Sequence, residues 1–426
     1  MKIILLVLAI AIVPTLLYAQ SGYIEVTAPG NRQLKLAVDS PRSLDATATP
    51  EIAKLVSELI ANDMNMSGTV TAESRLQRPD GNLLSLVDVD FVPWLSAGFD
   101  LLVRGEYNFK GEQLTIEFRL FDVISRKLIT SMRYLGTAKD VRRFSHSFAD
   151  EILRVITGEK GAFTTKIAYV SIQTGNKEIY AMDWDGNNPL PLTKNGAINL
   201  NPDFSPDGRE IIFTSYKRGN PDLYRRSLSN TAEVALSNRT GLNITGNWSP
   251  DGSKIALALS KDGDAEIYTI DKDGSHPVRL TVNPALDLYP AWSPDGKRLA
   301  FVSDRLGKPQ IFIMNADGGD VRRLTTSGNY NVNPRWSPKG DKIAYSRMSD
   351  GGFNIFTVAT DGSLDTQITV DGNNENPSWS ADGRFICFSS KRSSGNGIYV
   401  MRADGSGQTR VTEGKGTYYQ PVWSAR

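Results

Sequence analysis

The chain has 426 residues, 48 basic and 47 acidic side chains, and a formal net charge of +1. Its length calls for more than one domain, and its balanced charge excludes a basic footprint for nucleic acid or anionic lipid. One cysteine, Cys387, excludes an internal disulfide, and its setting in the apolar stretch Arg384-Phe385-Ile386-Cys387-Phe388 reads as a buried small hydrophobe.

At the start, Lys2 precedes an apolar run from Ile3 to Val13, then Pro14 and the small-residue stretch Leu17-Tyr18-Ala19-Gln20. This is the three-part form of a secretory signal over residues 1–19, cleaved between Ala19 and Gln20. The run is shorter than the ~20 residues of a membrane span, and a cysteine for acylation does not follow Ala19, so the chain is expected not to be membrane-embedded.

Residues 20–160 lack any repeat and mix helix and strand patterns, which predicts a separate α+β domain with a sheet and helices on one face. Thr49 and Pro50 open a helix whose apolar face carries Ile52, Leu55, Val56, Leu59 and Ile60. Residues 100–105, 114–118 and 128–132 read as a strand meander. Asp140 is expected to cap a second helix, with Val141, Phe144, Phe148, Ile152, Val155 and Ile156 on one face until Gly158. Gly158-Glu159-Lys160-Gly161 is then a linker short enough for the domains to pack together.

From residue 161 to 426 a repeat takes over. Its aromatic anchors, Phe204, Trp248, Trp292, Trp336, Trp379 and Trp423, recur every 43 or 44 residues, the period of a four-stranded propeller blade. The third unit shows the four strands: 290–293, 299–302, 311–314 and 322–325. Ser293-Pro294-Asp295-Gly296 is hairpin chemistry: proline presets φ, aspartate bonds the local backbone and glycine accepts positive φ. Ala316-Asp317-Gly318 and Ala403-Asp404-Gly405 make a second kind of turn. Residues 166–171 have the form of a second strand without a first, and residues 421–424 that of a first strand with nothing after it. The terminal strand should therefore complete the blade begun near residue 166, closing an all-β six-bladed propeller.

The chemistry-bearing residues are few. Only His146 and His276 exist, in different domains and without a Gly-x-Ser-x-Gly elbow, which argues against a Ser/His/Asp system and against clustered metal-ligating histidines. No metal or cofactor is expected, and both histidines read as solvated or locally bonded. The recurrent Asp-Gly pairs read as turns and lack calcium-loop spacing. The remaining candidates are six segments before the anchors, expected as loops around one channel mouth: Asn199-Leu200-Asn201, Asn243-Ile244-Thr245, Asp287-Leu288-Tyr289, Asn331-Val332-Asn333, Asn374-Glu375-Asn376 and Tyr418-Tyr419-Gln420. Proline follows five of them. Amide and tyrosine side chains there suit either contact with a protein ligand or satisfaction of the local backbone.

The signal, the α+β domain, the junction Gly158-Glu159-Lys160-Gly161-Ala162-Phe163-Thr164-Thr165-Lys166-Ile167-Ala168-Tyr169-Val170 and six Pro-x-Trp-Ser-Pro-Asp-Gly-type repeats together resemble the TolB family of the Tol-Pal envelope system. The repeats alone are shared with propellers of prolyl-oligopeptidase-like peptidases, and a propeller-based periplasmic peptidase or lyase is the alternative. The resemblance implies a monomeric, non-enzymatic periplasmic scaffold. Its propeller rim would bind the lipoprotein Pal, notably through Thr245 and Leu288, and its mature N-terminus would bind TolA. Family members support outer-membrane constriction, some are captured by colicins, and other outer-membrane proteins are possible partners. The second segment departs from the rest, with Thr245-Gly246-Asn247 where the other five have proline. Residues 20–32, with Tyr23-Ile24-Glu25-Val26 as a strand-like core, match the family's TolA-binding stretch in position. They fit either strand addition to a partner or an edge strand of their own domain.

Overall fold

The computed structural model describes residues 33–45, 50–75, 88–349, 351–414 and 416–425. The signal peptide, the segment containing Tyr23-Ile24-Glu25-Val26 and the helix cap expected at Thr49 lie outside the described residues.

The N-terminal unit is a sheet built from β1 (Leu34–Asp39), β2 (Arg42–Ser43), β3 (Val70–Arg75), β4 (Leu101–Lys110), β5 (Gln113–Asp122) and β6 (Lys127–Gly136), with helices α1 (Pro50–Ser67), α2 (Phe91–Ser96) and α3 (Val141–Thr157). The expected meander is β4-β5-β6, but the sheet extends further in the order β3-β1-β4-β5-β6. There β1 pairs in parallel with both β3 and β4; α1 is the crossover between β1 and β3, and the segment containing α2 leads from β3 to β4. The expectation of helices on one face needs correcting. Leu36 and Val38 of β1 face a core shared with α1 and α3, whereas Ala37 between them faces a second cluster around Trp94 of α2. Apolar residues at successive strand positions need cover on both sides. The capping of α3 also differs: the Asp140 carboxylate makes no side-chain capping bond and accepts instead from the Thr137 N–H at 2.9 Å and hydroxyl at 3.0 Å and from Arg143 Nη2 at 2.9 Å.

The repeat forms six four-stranded sheets. In the third blade the strands are Asp287–Trp292, Arg298–Ser303, Gln310–Asn315 and Arg322–Arg323, as the repeat predicts. The sixth blade joins Tyr418–Trp423 to Lys166–Ser171, with Tyr418 opposite Ser171 and Trp423 opposite Ile167. Two backbone-level bonds lock this closure: Lys166 N–H to Ser424 Oγ and Ser424 N–H to the Lys166 carbonyl, both 2.9 Å. The hairpin turns behave as their residues require. In the third blade Ser293 Oγ accepts from Arg298 N–H at 2.9 Å, and Asp295 accepts from Lys297 N–H at 3.1 Å.

Blade-to-blade spacing depends on the second kind of turn. Gly274 has φ +91°, and a Cβ there would lie 2.3 Å from the Leu236 carbonyl oxygen of the preceding blade. Any side chain meets both an unfavourable backbone region and a rigid neighbour. Gly274→Ala should therefore lower unfolding stability by about 2 kcal/mol or more, read as a reduced denaturation midpoint, with the six-bladed fold retained by circular dichroism.

Candidate functional site

Two places concentrate polar side chains, the domain interface and the propeller axis. At the interface, Phe163, just after the linker, packs at a tilt against Trp184 at 5.0 Å and Phe385 at 5.9 Å, inside one hydrophobic cluster running from the N-terminal sheet into the propeller. Trp423 Nε1 donates to Thr165 Oγ1 at 2.6 Å. Arg402 of the fifth blade donates to the Asn65 and Met66 carbonyls at 2.9 and 3.0 Å, where α1 ends with carbonyls lacking helical partners. These contacts use turns joining first to second and third to fourth strands, so the N-terminal domain covers that side of the propeller.

His146 sits at the centre of the interface. Its side chain is 4 % exposed, with Nδ1 2.7 Å from Asp63 of α1 and Nε2 3.4 Å from Asp185 of the propeller. Arg142 also pairs with Asp185, and the Trp184 indole edge closes the group. The expectation of two solvated or locally bonded histidines thus holds only for His276, which is exposed and 2.8 Å from Asp271 of its own turn. His146 escaped sequence reasoning because Asp63 and Asp185 are distant in the chain. Burial opposes its charge, yet the Asp63 charge and the bonds to Asp185 and Asp63 raise its pKa to about 10. Burial pushes Asp63 up to about 7 despite the imidazolium. Burial also opposes the charge of Asp185, but His146 and Arg142 bring it down to about 2.

On the axis, the inner strands are Asn199–Phe204, Asn243–Trp248, Asp287–Trp292, Asn331–Trp336, Asn373–Trp379 and Tyr418–Trp423. The six segments expected as loops are therefore the opening residues of strands, and three successive positions have three different roles. The first position, Asn199, Asn243, Asp287, Asn331, Asn374 and Tyr418, is buried, and in four blades its amide is bonded by a side chain of the preceding blade. Asn331 Nδ2, for example, donates to Gln310 Oε1 at 2.7 Å while its Oδ1 accepts from Arg347 Nε at 2.9 Å. Asp287 takes Asn283 and Arg305, each at 2.8 Å. These are structural staples, the backbone-satisfying role of the two the sequence left open.

The second position, Leu200, Ile244, Leu288, Val332, Glu375 and Tyr419, is half-buried in every blade and apolar in five. The third, Asn201, Thr245, Tyr289, Asn333, Asn376 and Gln420, has positive φ between 47° and 57° in all six, where each inner strand slips register against its neighbour. These bulges turn the third side chain toward the axis. They also free the next N–H from the ladder, which is why proline fits there in five blades. The third residues, the following prolines, Gly246 and Arg335 line one axial pocket. Below it Arg335 Nη1 reaches Asp203 at 3.0 Å, and Asp203, Asn247 and Ser378 accept the N–H groups of Trp248, Trp292 and Trp423 at 2.8–3.0 Å. Blades are thereby tied to neighbours around the channel. Burial raises the Asp203 carboxyl above the usual range although Arg335 opposes this. Arg335, Asp203 and the positive-φ bulges were not read from the sequence; the only signal was the recurrence of proline two residues before five of the six anchors.

The strand starts carrying this pocket lie at the ends opposite the turns that hold the N-terminal domain. No helix among the described residues is long and apolar enough to cross a membrane. The fold and site thus define a two-domain protein in which a small α+β unit is docked on one side of a six-bladed β-propeller and a polar axial pocket opens on the other.

A family model for the TolB beta propeller domain matches residues 153–426, and one for the TolB amino-terminal domain matches residues 22–129. The chain belongs to the TolB family. It is similar to the Tol-Pal system protein TolB of Geobacter metallireducens, 56 % identical over 210 residues, which are 49 % of this chain and 48 % of that protein. The corresponding protein of Geobacter sulfurreducens is 53 % identical over 209 residues, again 49 % and 48 %. The chain spans about half the length of the curated relatives it matches. The crystal structure of TolB from Acinetobacter baumannii shares the fold, with a TM-score of 0.82, 24 % identity, and coverage of 92 % of this chain and 97 % of that one.

A folded pKa raised above the ordinary value means tighter proton binding by the folded state. The His146 contribution is therefore full below pH 6.5 and lost by about pH 10, and ionisation of Asp63 between about 4 and 7 acts in the same direction. Wild type should lose thermal stability between pH 6 and 10 more steeply than His146→Gln. At pH 6 that variant should be about 3 kcal/mol less stable, since it removes a buried cation that pairs with the ionised Asp185. Parallel melting curves for the two proteins would contradict this assignment.

Proposed function

We propose that the chain is the TolB component of a Tol-Pal system: a periplasmic, monomeric, non-enzymatic scaffold. In this reading the propeller rim binds the outer-membrane lipoprotein Pal, the mature N-terminal segment binds inner-membrane TolA, and the assembly supports envelope integrity and constriction at division. The observation that carries the rim assignment is the ring of five half-buried apolar residues, Leu200, Ile244, Leu288, Val332 and Tyr419, around a polar pocket on the side away from the N-terminal domain. Half-buried apolar side chains beside rigid polar groups offer the contact area that can exclude water around a partner's anchor. The first-position residues are excluded as contacts, because their side chains are buried within the blades.

The scaffold reading is supported by the employment of both histidines, one in a buried interdomain ion pair and one exposed on a turn. His276 Nδ1 meets both Ser275 Oγ at 3.1 Å and Asp271 at 2.8 Å, so serine and acid share one ring nitrogen and do not flank the imidazole as a hydrolytic relay requires.

Leu288→Asp should weaken binding of the soluble lipoprotein domain by about 2 kcal/mol, some thirtyfold in Kd, with an unchanged melting temperature. Titration calorimetry reads this directly, and unaltered affinity in Leu288→Asp and Tyr289→Asp would move the site off the rim. Deleting Gln20–Arg32 behind an intact signal peptide should abolish TolA binding and leave lipoprotein binding within twofold. Pull-downs with each purified partner separate these results from a deletion that simply unfolds the chain, which would lose both.

A further inference from the structure

We propose that the axial pocket seats one carboxylate, carried on an acidic side chain at the tip of a protein partner, with Arg335 as its counter-charge. The proposal rests on the rim being the partner-binding face.

The pocket's walls are the six bulge residues, all uncharged, and Arg335 is the one charged residue in its lining. The Arg335 side chain is 29 % exposed and Asp203 only 7 %. One guanidinium nitrogen, Nη1, is engaged by Asp203 beneath, and the guanidinium presents further N–H donors for a planar acceptor. A second polar group is placed for the same ligand. Thr245 is 6 % exposed and lines the pocket, and its Oγ1 has no hydrogen-bond partner among the described residues. A buried hydroxyl without a partner costs free energy, and a carboxylate oxygen would accept from it. Gly246, the departure from the proline pattern, follows Thr245.

Size selects a small group. The pocket leaves about 40 Å³ of free volume, roughly three water-sized volumes, enough for a carboxylate and too little for an aromatic ring. Nearby acids temper the attraction of Arg335. Glu375 stands at the rim, where Asn373 Nδ2 donates to it at 2.6 Å, and Asp203 lies beneath, already paired. An incoming acid competes with Asp203 for Arg335, which makes Asp203 a built-in restraint on affinity.

This competition makes two neighbouring substitutions act in opposite directions. With the soluble lipoprotein domain as probe, Arg335→Gln should weaken binding about thirtyfold or more, Arg335→Lys should retain part of it, and Asp203→Asn should bind as tightly as wild type or tighter. Circular dichroism and melting temperature confirm folding of each variant. If Asp203→Asn loses as much affinity as Arg335→Gln, the pair is only a structural tie and the proposal fails. Should Arg335→Gln bind within twofold of wild type while Leu288→Asp does not, the rim is the partner face but the acid seat is wrong. Wild-type affinity in both variants would remove the partner face itself, and the seat with it. A final arm separates a partner's side chain from a free anion: 20 mM acetate should leave the melting temperatures of wild type and Arg335→Gln unchanged. Stabilisation of wild type alone would make the pocket a small-anion site and overturn the proposal.

Discussion

Everything in the propeller depends on one pairing, the antiparallel ladder between Tyr418–Trp423 and Lys166–Ser171. Each blade buries its faces only against two neighbours, so an open ring would leave apolar faces in water at both ends. The two segments stand about 250 residues apart in sequence, and their pairing carries the loop-closure entropy of nearly the whole domain. Ser424 and Lys166 add reciprocal bonds at this seam. The seam also lies beside the linker, where Trp423 bonds Thr165. Closing the ring and docking the N-terminal domain therefore draw on the same cluster of Phe163, Trp184, Phe385 and Trp423.

The closed ring makes two surfaces with different chemistry. On the N-terminal side the turns are occupied: Arg384 and Lys339 hold Glu159, Arg402 holds the end of α1, and Asp185 reaches His146. On the other side the inner strands begin, and their bulges point uncharged polar side chains at the axis. The Arg335–Asp203 pair crosses the channel between these sides. A charge pair in that position ties two blades across the ring, and its desolvation leaves little surplus as stability. Its significance lies in where it leaves a positive group, at the floor of the axial pocket.

Repetition separates scaffold from specificity. First-position side chains are amides or an acid in five blades, and all are buried within the propeller, four of them bonded to the preceding blade. Third-position backbones are the same in all six blades, yet their side chains differ: Asn201, Thr245, Tyr289, Asn333, Asn376 and Gln420. The backbone geometry is imposed by the bulge and the ring, so variation is free to fall on the side chains that line the axial pocket.

The period of the anchors, the hairpin residues and the complementary half-blades at residues 166 and 421 were enough to establish blade number, strand order and the manner of closure, because turn chemistry and strand alternation are local and repeat six times. The amphipathic faces of α1 and α3 were legible for the same reason. The parallel pairing of β1, the α2 cover on the second face of the sheet and the Asp63–His146–Asp185 bridge were decided only in three dimensions. Each joins segments far apart in the chain with no local pattern to mark the pairing. The axial site shows the boundary within three consecutive residues. The sequence located the segments, but whether a side chain is sealed in its blade, half-buried at the rim or turned to the axis followed from the positive-φ bulge, and a bulge is set by the register of two strands and by closure of the ring.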